Sequence, residues 1–251
     1  MRIIISPAKK MKVQTDLFAA ESPQFLEEAE ELKEWLREKS PRELQSLWGC
    51  NDNIARQNVQ RLRTMDLRRN LTPALLAYEG IQYQYMAPLV FEEKSWAYIQ
   101  EHLRILSGFY GILRPLDGVT PYRLEMQAKV KIGGHRNLYE FWGDKLAKSL
   151  EGEGDFILNL ASQEYARAVI PHLSPETSLV TCSFLEEHGG KLVQKGTYAK
   201  MARGEMVRLL AEAGARKPEE IKTFSPGGYV YSPELSGENQ WIYVKEKGGD
   251  R

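Results

Sequence analysis

The sequence predicts an α+β fold: one mixed β-sheet flanked by helices, with residues 1–251 forming a single domain. Three observations carry that prediction. Apolar residues at helical spacing crowd into the stretch between residues 25 and 106. Short runs rich in β-branched and aromatic residues recur after residue 156. One further strand-like run, Ile3-Ile4-Ile5, stands alone at the start, so its sheet partners are expected far away in sequence.

Taken in order, Met1 to Pro7 reads as a buried first strand, its apolar run too short for a signal peptide. Phe25, Leu26, Ala29, Leu32, Trp35 and Leu36 recur at helical spacing, with glutamates opposite. Ser40-Pro41-Arg42-Glu43 is a capping-box start with proline at the first helical position, leading into Leu44, Leu47 and Trp48. Ile54, Ala55, Asn58, Val59 and Leu62 continue the helical period, and Thr72-Pro73 starts a helix running towards Tyr78. Trp96, Ile99, Leu103 and Leu106 predict a helix ending at Ser107-Gly108, where glycine takes the left-handed terminating conformation.

Beyond that point the pattern changes. Phe156 to Leu160 reads as a buried strand, followed by a helix through Tyr165 and Val169. Ser178–Leu185 and Lys191–Tyr198 read as strands of a hairpin turning at Glu186 to Gly190. A helix from Ala199 to Ala213 stops at Gly214, and strands at 229–231 and 241–244 close the chain.

A chain of 251 residues with 42% hydrophobic and 27% charged residues can bury a sizeable core and is too apolar for disorder. No apolar run approaches the roughly 18 residues that a membrane helix needs. The two cysteines, Cys50 and Cys182, form neither a framework nor a CxxC pair, which fits a reducing compartment and a cytoplasmic protein.

The 34 basic and 34 acidic residues cancel, but they are segregated. Residues 21–43 carry eight glutamates against four cations, residues 56–69 five arginines against Asp66, and residues 1–12 four cations and no acid. A neutral chain arranged this way can still present a basic face. The acidic stretch also reads as one solvated helix face, with the arginines lining another.

Five segments concentrate chemistry-bearing residues. The longest, Leu103 to Met126, reads LRILSGFYGILRPLDGVTPYRLEM and sets Arg104, Arg114 and Arg123 among glycines, prolines and tyrosines. A guanidinium fixed in such a loop can grip phosphate or carboxylate through two parallel hydrogen bonds. Glycine lets backbone N–H groups approach an anion. The alternative is a tight turn held by Arg114–Asp117 or Arg123–Glu125. Ser6-Pro7-Ala8-Lys9 follows the first strand, at the sheet edge where ligands commonly sit, with Ser6 and Lys9 as candidate contacts. In Leu138 to Asp144, Phe141 reads as core, while Tyr139, Trp142 and Asp144 are candidates to line a cleft. In Asn159 to Tyr165, Ser162 reads as a helix N-cap, and Asn159 and Glu164 are polar residues where burial is expected. In Tyr198 to Arg208, the basic start of a helix presents Lys200, Arg203 and Arg208, opposing the helix dipole unless an anion relieves them.

The four histidines are isolated, with no metal-ligand spacing, and no metal or other cofactor is expected. There is no Walker A, GxGxxG or GxSxG motif.

ISPAK (residues 5–9), the long central block, LYEFWGD (138–144), NLASQEY (159–165) and YAKMARG (198–204), in this order, resemble the signature blocks of the YaaA family. The resemblance runs from residue 1 to about Tyr243. One block departs: where a motif like AFxGDVYxGL is expected, residues 77–86 read AYEGIQYQYM, without the aspartate and the second glycine. The resemblance implies a cytosolic protein of the peroxide-stress response, associated with limiting free iron and protecting DNA from Fenton chemistry. It also implies DNA binding through a basic cleft and a helix-hairpin-helix-like element. That element would be the helix ending at Leu106 plus Ser107, Gly108, Phe109, Tyr110 and Gly111.

Two functions compete with a scaffold role. The first is a DNA-binding protein without sequence preference, whose affinity falls steeply with salt. The second is an enzyme on a small anionic substrate, a nucleotide or phosphorylated metabolite. It rests on convergence of Ser6, Lys9, Arg104, Arg114, Tyr122, Arg123, Asn159, Glu164, Lys200 and Arg203, with Glu125 or Glu164 as general acid/base. A wide groove joining Arg56–Arg69 to the hairpin would favour the first, a deep cleft the second.

Overall fold

The computed structural model describes residues 1–14, 21–154 and 156–246. Ile3, Ile4 and Ile5 are fully buried in strand β1 (Arg2–Ile5), which lies in the middle of the main sheet. A two-residue strand β2 (Lys10–Met11) follows.

Helix α1 (Leu26–Arg37) buries Leu26, Ala29, Leu32 and Leu36 on one face, as its spacing predicts. Helix α2 (Pro41–Trp48) starts at the predicted capping box: the Glu43 N–H donates to Ser40 Oγ, and the Ser40 N–H donates back to Glu43 Oε2 at 2.8 Å. It ends at Gly49, left-handed at φ 52°. Helix α3 (Asp52–Thr64) is capped by Asn51, whose side chain accepts from the Ile54 N–H.

Short elements then alternate: β3 (Thr72–Pro73), α4 (Ala74–Ala77), β4 (Tyr78–Glu79) and α5 (Ile81–Met86). β2 pairs with β4, joining Lys10 to Glu79 across the ladder.

Helix α6 (Glu93–His102) stops four residues earlier than its apolar spacing suggests. Leu103–Ser107 is strand β5, and it turns back at once into β6 (Gly111–Leu113). The helix-hairpin-helix-like element expected here is therefore a β-hairpin. The reason is burial: every residue of β5 is buried, and a strand covered on both faces reads as a continuous apolar run that periodicity cannot separate from a helix. Ser107 Oγ closes the turn, accepting from the N–H groups of Phe109 and Tyr110 at 3.1 and 2.9 Å. Gly111, at φ 71°, has no room for a Cβ, which would lie 2.8 Å from the Trp142 ring.

The strand pair β3–β7 (β7, Gly118–Val119) and helices α7 (Leu138–Trp142) and α8 (Lys145–Glu151) complete the first part of the chain. The rest holds β8 (Phe156–Asn159), α9 (Gln163–Ala166), β9 (Ser178–His188), β10 (Lys191–Val193), α10 (Gly196–Ala213), α11 (Pro218–Ile221), β11 (Tyr229–Tyr231) and β12 (Gln240–Lys245). The predicted hairpin at residues 186–190 is present, but its second strand ends at Val193 and α10 begins three residues before the predicted start.

The main sheet is mixed, with strand order β11-β12-β9-β8-β1-β5-β6 and β10 paired to β9. Its five central strands are parallel, and β6, β10 and β11 join antiparallel. As expected, the partners of β1 are distant in sequence: Ile3 faces Leu103 on one side and Leu158 on the other. In chain order the parallel strands run 2-1-3-4-5 across the sheet. The chain goes from β1 to one neighbour, then crosses back over it to β8. The buried apolar residues of sheet and helices form one contiguous cluster.

Candidate functional site

Where strand order reverses, the turns leaving neighbouring strands diverge and open a crevice at their carboxyl ends. Here that point lies between β1 and β8. Ser6 follows β1, and the turn after β8 is stitched to it: the Ser162 N–H donates to Ser6 Oγ at 2.8 Å, and the two hydroxyl oxygens lie 3.1 Å apart. Asn159 shapes this turn from below, accepting from the Ala161 N–H at 2.9 Å and donating to Thr181 Oγ1 at 3.0 Å. Ser162 stands at the predicted N-cap position, but its side chain makes no capping hydrogen bond.

Above these turns is a cleft of about 440 Å³. One wall is Ser6 to Lys10 and a second is Glu79 to Tyr83, where the Tyr83 hydroxyl donates to the Ser6 carbonyl at 3.0 Å. The third is Tyr122 to Glu125, and the fourth joins Ser162, Glu164 and Tyr165 to Lys200 and Arg203 of α10. Of the sixteen residues predicted for the site, Ser6, Lys9, Tyr122, Arg123, Glu125, Glu164, Lys200 and Arg203 meet here.

Ser107, Gly108, Tyr110, Gly111 and Asn159 are buried behind these walls rather than in them. Gly108 lets the segment 124–126 lie against the hairpin, since a Cβ there would sit 2.8 Å from the Leu124 carbonyl oxygen. Ser107 Oγ and the Tyr122 hydroxyl are 2.6 Å apart, and Tyr122 reaches Tyr78 at 2.8 Å. The central block thus positions the cleft wall, and its hairpin lies outside the cleft lining.

Arg104 and Arg114 lie elsewhere. Arg104 sits in the amino-terminal half of β5, away from the cleft, with Nε 2.8 Å from Glu153 Oε2. Arg2 and Arg114 converge on the same carboxylate at 3.0 and 3.3 Å. Burial alone would raise the Glu153 carboxyl, but the Arg104 hydrogen bond and the charges of Arg104 and Arg2 hold it below its ordinary range. Arg208 pairs with Glu205 and does not reach the cleft. Trp142 is fully buried under Gly111, Tyr139 donates to the Glu164 carbonyl, and Asp144 pairs with Lys148.

The arginine run at 56–69 is also largely engaged. Arg68 pairs with Glu27 and Arg69 with Asp66, and Arg61 donates to the Met11 carbonyl at 3.3 Å.

The charges of the cleft do not cancel. Lys10 is 2.8 Å from Glu79, and Lys9 is 2.8 Å from Glu125. Lys200 and Arg203, one helical turn apart, make no ion pair with any described residue. Arg203 is only 9% exposed, and its Nε has no hydrogen-bond partner. Burial pulls its guanidinium down from the ordinary value. A buried cation without a carboxylate is costly unless an anion completes it.

Glu164 does not supply that anion. Burial raises its carboxyl, the nearby Glu125 raises it further, and the Gln127 N–H, 3.2 Å from Oε1, offsets only part. Both Lys200 and Arg203 lie beyond the first turn of α10, which begins at Gly196, so the helix dipole is not what sets them apart; Arg203 is buried and Lys200 exposed beside it.

The sequence reading missed Lys10, Glu79, Gly80, Gln82 and Tyr83. Lys10 ends the wall that begins at Ser6, and the other four belong to the block that departs from the expected motif and form a wall all the same. The signal present was Gly80, where a Cβ would meet the Ala8 Cβ at 3.0 Å.

Among the described residues no three His, Cys, Asp or Glu side chains converge to hold a metal ion. Cys182 is fully buried with its thiol pushed up to about 12, which leaves it protonated and a poor nucleophile. No described helix is long and apolar enough to cross a membrane.

An open sheet with a parallel core and a basic cleft at its switch point defines a protein of mixed α and β structure with a crevice at the carboxyl ends of its central strands. The chain belongs to the family described as peroxide stress protein YaaA, whose model matches residues 1–235. Relatives named UPF0246 protein are similar over nearly their full length. That of Agathobacter rectalis is 53% identical over 247 residues, covering 98% of this chain and 99% of the relative. Those of Lachnoclostridium phytofermentans and Ligilactobacillus salivarius are 50% and 48% identical, covering 100% and 98% of this chain and 99% and 100% of the relatives.

Proposed function

We propose that the protein serves the peroxide-stress response by binding a phosphate-bearing ligand in the cleft between β1 and β8. The observation that carries this reading is Arg203: nine-tenths buried, unpaired among the described residues, and set beside the equally unpaired Lys200. A planar guanidinium with a neighbouring ammonium suits a phosphate oxygen set. The hydroxyls of Ser6, Ser162 and Tyr165 supply neutral donors around it, and Glu164, shifted towards its neutral form, repels an anion less than an ordinary carboxylate would. The same carboxyl is the group we assign to proton transfer if the bound ligand reacts. The free cysteines fit a protein of the reducing cytoplasm.

A second reading is DNA binding that shields DNA from iron-dependent damage. It is favoured by one feature: the cleft opens into a neighbouring groove whose walls carry Lys39, Lys129 and Lys131.

Thermal shift with inorganic phosphate, pyrophosphate and nucleotides tests the first reading. Wild type is expected to be stabilised, and Arg203→Met is not. The DNA reading predicts anisotropy binding whose logarithm falls linearly with log salt, with a slope near −0.7 per phosphate contacted on a single strand. Absence of any phosphate-dependent shift, with Arg203→Met behaving as wild type, would sink the cleft reading.

A further inference from the structure

We propose that a second anion site lies at the amino-terminal ends of the central strands, opposite the cleft, and that it binds a small dicarboxylate. The site stands independently of the phosphate reading of the cleft.

Strand pairing gathers this site around Glu153. Arg2 opens β1, Arg104 stands second in β5, Arg114 follows β6, and Glu153 precedes β8. Strand β1 runs parallel to both β5 and β8, so these residues share one end of the sheet. Three guanidiniums converge there on one carboxylate, and none of them pairs with another described carboxylate. The Arg2 and Arg104 side chains are only 14% and 4% exposed. Cations so poorly hydrated, sharing a single counter-charge, are costly until a further anion joins them.

The contacts also leave the guanidinium forks open. Each arginine donates a single hydrogen bond to Glu153, Arg2 and Arg104 from Nε and Arg114 from Nη2. Arg104 Nη1 donates to the Gln100 and Leu103 carbonyls at 3.2 and 2.7 Å, which leaves Nη2 without a partner among the described residues. Fork capacity for a second anion therefore remains on Arg104 and Arg114. Both line a cavity of about 470 Å³ beside Glu153. The cavity has neutral donors as well. Ser149 Oγ donates to Gln24 Oε1 at 2.7 Å, so the Gln24 amide oxygen is occupied and its nitrogen is left to donate, with the Ser22 hydroxyl also in the lining.

Opposing charge in the cavity is limited. Asp117, the other carboxyl of the lining, has its Oδ2 on the Arg114 N–H at 2.7 Å, and burial pushes it up to about 7. Lys148 adds a cation to the lining and pairs with Asp144, which lies outside it. Three guanidiniums against Glu153 leave an excess of two charges when Asp117 is protonated, and a dianion balances that excess. The cluster already fits one planar carboxylate between guanidinium nitrogens at 2.8–3.3 Å. A cavity of this volume falls among those that hold small molecules, and it has room for a short chain carrying two such groups.

Isothermal titration calorimetry with succinate tests the site, at a pH just below the Asp117 value, with acetate and inorganic phosphate as comparison ligands. Succinate should bind wild type and Arg203→Met alike, and acetate about tenfold or more weakly, one such step being the scale of a charge-assisted contact. Arg114→Gln should weaken succinate by about tenfold or more. The Arg114 side chain is half exposed and its loss leaves Glu153 held by Arg2 and Arg104, so this variant is expected to fold. Gln24→Ala, at an exposed position, should weaken succinate more mildly. Both variants should keep the phosphate response assigned to the cleft. No heat with succinate, or equal affinity in wild type and Arg114→Gln, overturns the proposal. Loss of succinate binding in Arg203→Met would move the dicarboxylate to the cleft and overturn it too. A phosphate response that survives Arg203→Met and vanishes in Arg114→Gln would overturn the choice of carboxylate.

Discussion

Arg104 ends 2.8 Å from Glu153, whereas Arg203 is comparably buried and has no carboxylate within ion-pair reach. The two arginines should respond oppositely to removal of charge. Glu153→Ala strands a buried guanidinium at β5 and leaves Arg2 unpaired as well. It is expected to cost about 3–5 kcal/mol in urea unfolding without changing ligand affinity. Arg203→Met removes an unsatisfied buried cation and should stabilise the empty protein by about 1–3 kcal/mol while ending phosphate binding. Asp117 adds a pH effect. Burial pushes its carboxyl up to about 7, only partly offset by the Arg114 N–H at 2.7 Å from Oδ2 and the Arg114 charge. Its folded value lies above the unfolded one near 3.9, so the folded state holds the extra proton between them. This contribution to stability therefore falls as pH rises from about 4 to about 7. Asp117→Asn keeps the hydrogen bond and should flatten that decline, with a higher melting temperature than wild type at pH 8.

At the scale of elements, α10 is the helix on which the cleft depends. Lys200 and Arg203 share one face, and Gly204 beside them brings the helix against α5. Gly204→Ala has to separate the two helices, because the atom it meets is backbone. The expected loss is about 1–3 kcal/mol, with a smaller phosphate-induced thermal shift because Arg203 moves with the helix. The spacing of YAKMARG places the two cations together in the sequence but does not record that Arg203 is buried and Lys200 exposed. Capping made α2 readable to the residue, since Ser40, Pro41 and Glu43 act locally. The stretch LRILS was misread for the opposite reason: its state is set by strands on either side of it, and no local pattern records those neighbours. The hairpin residues from Ser107 to Gly111 were likewise noticed for their composition and turn out to shape the wall behind Tyr122.

For the molecule as a whole, the mixed sheet, the isolated central strand and the edge where Ser6 lies were legible from apolar runs and their separation. The parallel core and its reversal between β1 and β8 were not, because pairing of distant strands depends on the complete set of crossovers. Half of the predicted site residues reach the cleft. Arg104 and Arg114 do not, since arginine clusters look alike in sequence whether they surround a glutamate or await an anion.

The position of β1 also orders events during synthesis. Its neighbours β5 and β8 are made roughly one hundred and one hundred and fifty residues later, and α10 later still. A nascent chain therefore carries three consecutive isoleucines with no partner until β5 is made, and without the second partner, β8, until well over half of it has been translated. Such delayed long-range pairing folds slowly and exposes an adhesive segment meanwhile. The crevice, which needs β1, β8 and α10 together, is among the last features to close. A ribosome stalled before Arg203 would hold a chain with much of its sheet in place and an incomplete binding site.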